Sequence, residues 1–115
     1  MKTVWPPPDL DPECRSLCEA INSLPGLRTY ESCCGHGTHP FWIFFRVQGM
    51  AGLHSLANVV FWLDKMHCGR EGWRCEVGAS ELIFWGYRRC SFCIEGPKND
   101  YSGADEIAAL IAGQR

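Results

Sequence analysis

With 115 residues, 46% of them hydrophobic, the chain is expected to form one domain that buries a core without covalent staples. A formal net charge of −2 argues against a broad basic surface for nucleic acid, and no apolar run reaches the roughly 18 residues of a membrane span. The opening Met-Lys-Thr-Val-Trp-Pro-Pro-Pro lacks the apolar stretch of a signal peptide, so a cytoplasmic protein with its eight cysteines reduced is expected.

Residues 1–10 read as an extended, proline-stiffened entry to a single domain over residues 11–115. Asp11 has the side chain of an N-cap, with Pro12 at the first helical position and Glu13 favourable to the helix dipole. Cys14, Leu17, Cys18, Ile21 and Leu24 recur at helical spacing and define one apolar face, which Pro25-Gly26 ends. Cys14 and Cys18 lie four apart, as two ligands of one metal can, yet their apolar companions favour core packing. Leu27 to Ser32 reads as a short strand. Phe41 to Val47 is the clearest strand, apolar on both faces through Phe45 and so expected in the middle of a sheet, covered at least partly on both sides. Gly49 to Gly52 breaks it.

A second helix is expected from about Leu53 to Met66, with Leu56, Val60 and Leu63 as its core stripe and Cys68-Gly69 as its end. His54 and His67 read as surface residues. Trp73, Cys75 and Val77 alternate with Arg74 and Glu76, predicting a strand with the first three inward. Leu82 to Tyr87 and Arg89 to Glu95 read as one bent strand or two, with Gly86 as a bulge. Ser102 and Asp105 resemble a capping box before a last helix whose face carries Ile107, Leu110 and Ile111. The fold class is therefore α+β: a mixed β-sheet with three helices, in the order helix, strand, strand, helix, strand, strand(s), helix. The second strand, second helix and third strand are placed to form a right-handed parallel crossover.

Chemistry concentrates between the first two strands, in Thr29-Tyr30-Glu31-Ser32-Cys33-Cys34-Gly35-His36-Gly37-Thr38-His39. Glycines let the backbone turn sharply and offer its N–H groups to a ligand. Cysteine and histidine supply metal ligands, nucleophiles or acid–base groups. Three readings stay open. Cys33, Cys34, His36 and His39 are donors suited to zinc, with the Cys90-x-x-Cys93 pair further on. That pair weakens as a ligand set if it lies in a strand, where residues three apart face opposite ways. A thiolate beside His36 can act as a nucleophile, with Glu31 or a more distant carboxylate orienting the imidazole. Ser32, the Gly35 and Gly37 amides and His36 can surround an anionic or nucleotide-like ligand. Arg46, Arg70, Arg74, Arg88 and Arg89 are available for a phosphate or a short RNA, and aromatic residues such as Trp42, Trp73 and Phe92 for a base, although most aromatics should be core.

Ile21-Asn22, then Thr29-x-x-Ser32-Cys33-x-Gly35-His36, resembles the wybutosine-tRNA methyltransferase family. The similarity runs on through Pro40 to Val47 and over the second helix to Gly72-Trp73-Arg74-Cys75-Glu76-Val77-Gly78. The Glu-Ser-Cys-Cys-Gly-His-Gly turn is also similar to one in short proteins of bacteria and their phages. The family resemblance implies an α+β fold in which Ser32, Cys33 and Gly35 line a pocket for S-adenosylmethionine or a nucleotide, with methyl transfer as the chemistry. The chain departs from the family at His36 (Arg there) and Cys34 (Ser there), and it is about half as long. The leading expectation is a small-molecule site at Ser32, Cys33, Gly35, His36 and Gly37. A non-enzymatic interaction protein of phage type and a zinc-binding domain are the alternatives.

Overall fold

A computed structural model describes residues 10–82 and 88–113. Strands β1 (Leu27–Cys33), β2 (Phe41–Val47), β3 (Arg74–Leu82) and β4 (Arg88–Gly96) form one sheet in the order β1-β2-β4-β3. Its helices are α1 (Arg15–Asn22), α2 (Gly49–Leu63), α3 (Lys65–Cys68) and α4 (Tyr101–Ala112). The α+β class is as expected, but among the described residues there are four α-helices rather than three, and α3 enters between α2 and β3. It exists because Asp64 leaves the helical region, caps the Met66 N–H, and Gly69 at φ 75° then ends the turn.

All three strand pairings are antiparallel, so the sheet is not mixed. β2 and β3 do run the same way, as the expected crossover requires, but β4 lies between them. β2 is central, as its apolar character indicates. Phe41, Ile43 and Phe45 are buried in one core with Leu17, Cys18 and Ile21 of α1, Ile94 of β4, and Ile107 and Ile111 of α4. The alternate residues Trp42, Phe44 and Arg46 are half-buried on the other face. There the Arg46 guanidinium sits 4.0 Å from the centre of the Tyr30 ring, and the Tyr30 hydroxyl donates to Ser91 Oγ at 2.8 Å. Two bulges shape this sheet, at Tyr30 in β1 and Gly78 in β3. A Cβ at Gly78 would lie 2.7 Å from the Phe44 ring, which occupies that space.

Several local expectations are corrected. α2 begins at Gly49, not Leu53, and buries Gly52, Ser55, Val59 and Leu63, while Val60 points outward. Val77 is exposed rather than inward; it lies beside the bulge in β3, which is an edge strand of the sheet. Helix α4 is capped by Asp100, whose side chain accepts from the Gly103 N–H, so Ser102 and Asp105 form no capping box. Asp105 instead accepts from Ser16 Oγ and ties α4 to α1. Residues 1–9 and the Gly86 bulge lie outside the described residues. Among the described helices, none is long and apolar enough to cross a membrane.

Candidate metal site

The site lies where β1 ends. Asp11 precedes a turn of 3-10 helix (Pro12–Cys14) that runs into α1, and its side chain caps nothing there. It reaches across instead, and its Oδ2 accepts the Cys34 N–H at 2.9 Å. Beyond β1 the chain turns through Gly35, His36 and Gly37, with φ of 81°, 51° and 80°. Glycine takes such angles freely, whereas for His36 they cost energy that the surrounding bonds must offset. A Cβ at Gly35 would also meet the Pro40 carbonyl oxygen at 2.9 Å. The left-handed turn swings the His36 imidazole back over Asp11, with Nε2 3.9 Å from Asp11 Oδ2.

Donor atoms of Asp11, Cys33 and His36 consequently lie within 4.8 Å of one another. Asp11 and Cys33 are half-buried, while the His36 side chain is 68% exposed, so one side of the cluster is open. On its other edge the His36 ring has Nδ1 3.7 Å from Cys34 Sγ. That contact can orient the imidazole, as outer-shell partners of metal-bound histidines do. Carboxylate, thiolate and imidazole together suit a borderline divalent ion such as zinc.

Only part of the set expected from the sequence assembles. Cys33 and His36 meet, but the third member is Asp11, and neither Cys34 nor His39 belongs to the cluster. Cys34 follows Cys33 at the end of a strand and points the other way, into the core at 3% exposure. Burial raises its thiol pKa, opposing the thiolate a metal would need. Ser32 lies on the same side of β1 as Cys34, half-buried near the thiols of Cys14 and Cys18. Of the two glycine amides offered to an anionic ligand, that of Gly35 is engaged within the turn, as are others beside it. Gly35 N–H donates to Cys33 Sγ, His36 N–H to Cys34 Sγ, and both Thr38 N–H and His39 N–H to Gly35 O. Tyr101, at the start of α4, closes the turn with its hydroxyl 3.5 Å from Cys34 O.

Among the described residues, the arginines expected to supply counter-charge are engaged elsewhere. Arg74 pairs with Glu76 and Glu95, Arg70 with Asp100 and Glu106, and Arg46 lies over Tyr30. The side chains of Arg88, Arg89 and Cys90 lie outside the described residues. Cys93 pairs with Phe44 across the β2–β4 ladder and is not part of the Asp11 cluster. Asp11 was legible only as a cap. Cys33 lies 22 positions further along the chain, and no short-range pattern links the two.

The thiols of Cys14 and Cys18 are held neutral by burial. Burial raises Cys14 to about 12 and Cys18 to about 11 from an ordinary 9.0. In the unfolded chain both ionise near that ordinary value, so above it the unfolded state releases protons that the folded state keeps. Stability from these two groups is thus full below pH 9 and is lost as pH rises towards their folded values. Each contributes a slope of up to about 1.4 kcal/mol per pH unit in that window. Urea midpoints should therefore fall steeply from pH 9 to 10.5, and replacing Cys14 and Cys18 by Ala should flatten the fall. A slope unchanged by that double replacement would contradict the assignment.

Family models, curated proteins and solved structures were all compared with this chain, and none matches it.

Proposed function

We propose that this chain is a small metal-binding domain in which Asp11, Cys33 and His36 hold one divalent ion, with zinc the best fit to the donor set. The convergence of the three donors within 4.8 Å carries this reading. Three protein ligands with an open side correspond to the zinc sites that keep one position for water or substrate, rather than to closed four-ligand structural sites. An ion there would polarise a bound oxygen or lower the pKa of a bound water.

The S-adenosylmethionine or nucleotide-like ligand implied by the resemblance fits this reading best as a guest at the open coordination position, through a carboxylate or phosphate oxygen. The engagement of the Gly35 and His36 amides within the turn supports metal-mediated capture over a backbone nest. Cys33 as a nucleophile is the weaker reading, because the sulfur in hydrogen-bonding contact with the imidazole Nδ1 is the buried Cys34.

The test is elemental analysis of untagged protein purified without chelators, followed by zinc titration of the stripped form. One equivalent per chain is expected. Cys33→Ser and His36→Ala should each weaken binding on the order of 100-fold or more, since even outer-shell changes cost 10–100-fold. His39→Ala should leave it unchanged. Absence of binding at tens of micromolar zinc, or equal losses in His36→Ala and His39→Ala, would refute the site.

A further inference from the structure

Helix α2 has a second apolar face that nothing in the described fold covers. Between Gly49 and Leu63 there is no Asp, Glu, Lys or Arg. Its buried side carries Gly52, Ser55, Val59 and Leu63. Opposite them, Met50 is 69% exposed, Leu53 53% and Val60 49%, with Ala57 also exposed between the last two. Phe61 flanks this stripe, and Met66 of α3 follows it in the chain. Scattered exposed apolar residues are ordinary, but a contiguous uncharged ridge along a whole helix marks an interaction surface.

The spacing identifies the occupant. Met50, Leu53, Ala57 and Val60 are separated by three, four and three residues, the interval of a coiled-coil seam. Read backwards, the intervals are the same. Two copies of α2 packed antiparallel about a two-fold axis therefore set Met50 against Val60 and Leu53 against Ala57, twice over. Each pairing joins a larger side chain to a smaller one, so the ridges interlock, and Ala57 allows close approach. A self-complementary patch is what an isologous interface requires. We infer that α2 is a homodimerisation surface, with a second copy of this chain packed antiparallel along Met50, Leu53, Ala57 and Val60.

A helix of fifteen residues is about 22 Å long. Pairing along it buries less than the roughly 800 Å² per partner of a standard interface. The dimer should accordingly be weak, with a dissociation constant on the order of 10–100 µM.

Sedimentation equilibrium from 1 µM to 1 mM, with a chelator present to exclude metal bridging, tests this directly. Wild type should pass from monomer to dimer across that range. Leu53→Lys and Ala57→Glu, each placing a charge in the seam, should keep the chain monomeric at 1 mM. The melting temperature at 1 µM should not change in either variant, because both positions are exposed in the monomer. A wild type that stays monomeric at 1 mM would overturn the inference, whether the ridge instead serves another protein or a lipid surface. Dimerisation that persists in both variants would overturn it equally, by placing the interface on another face.

Discussion

Asp100→Ala is expected to destabilise the fold by about 3 kcal/mol and to lower the melting temperature by roughly 12 °C. One carboxylate serves three donors from three parts of the chain. Oδ1 accepts from Arg70 Nη1 at 2.9 Å and from the Gly103 N–H at 3.2 Å, and Oδ2 accepts from Trp73 Nε1 at 2.9 Å. Removing it uncaps α4, worth about 1 kcal/mol. It also strands the indole N–H of Trp73, which is 6% exposed, and leaves Arg70 with Glu106 alone. Each lost partner adds about 1 kcal/mol, more where water cannot replace it. Asp100→Asn keeps an acceptor for the cap and should cost about half as much. Equal losses in the two variants, read from urea melts, would show that charge rather than hydrogen bonding is the larger contribution.

Gly26→Ala should cost still more, about 3–4 kcal/mol. Gly26 has φ 75°, and its Cβ would fall 2.5 Å from Gly52 N and 2.6 Å from both Gln48 O and Gly52 Cα. These are backbone atoms and cannot rotate away. The loop is fastened there by Gln48 N–H donating to Gly26 O at 2.8 Å and Ser55 Oγ donating to Pro25 O at 2.6 Å. Strain at positive φ contributes about 1–2 kcal/mol and overpacking a further 1–3. Gly52→Ala meets looser contacts, 2.9 Å to Gly26 O and 3.0 Å to the Val47 methyl, and should cost less. A reversed order of the two variants would mean that the α1–β1 loop does not pack on the first turn of α2 as described.

Gly26 also illustrates what sequence reasoning could reach. Pro25-Gly26 was legible as a helix stop from local chemistry alone. That the glycine also admits another loop's backbone was not, because Gly52 is remote in sequence. β2 matched its expected range of Phe41 to Val47, since seven residues of aromatic and branched character admit few alternatives. The α2 stripe misled for a definable reason. Leu56, Val60 and Leu63 have helical spacing, but the helix is apolar on two sides, and periodicity cannot say which side the sheet takes. Val59 won, and Val60 went to solvent. At the site, Cys33 and His36 were legible because their turn is dense in reactive types. Asp11 was hidden by its resemblance to an ordinary cap, and the inward aim of Ser32 and Cys34 by strand alternation that begins only where β1 is fixed against β2.

Asn22 and Thr29 fasten the connection between α1 and β1. Asn22 Nδ2 donates to Thr29 Oγ1 at 2.8 Å, and the Thr29 N–H donates to Asn22 Oδ1 at 2.7 Å. The pair locks the end of α1 to β1 beside the bulge, four residues before Cys33. It sets the direction from which β1 delivers that thiol to Asp11.

Cobalt(II) substitution gives the most direct test of the proposed metal centre, because a coordinated thiolate produces a charge-transfer band that a carboxylate or imidazole does not. Stripped wild type, Cys33→Ser and Cys34→Ser would each be titrated with Co²⁺ and followed in the near ultraviolet. The proposal predicts the band at one equivalent in wild type and in Cys34→Ser, and its loss in Cys33→Ser. A band lost in Cys34→Ser but kept in Cys33→Ser, or absent from wild type, would contradict a site built from Asp11, Cys33 and His36.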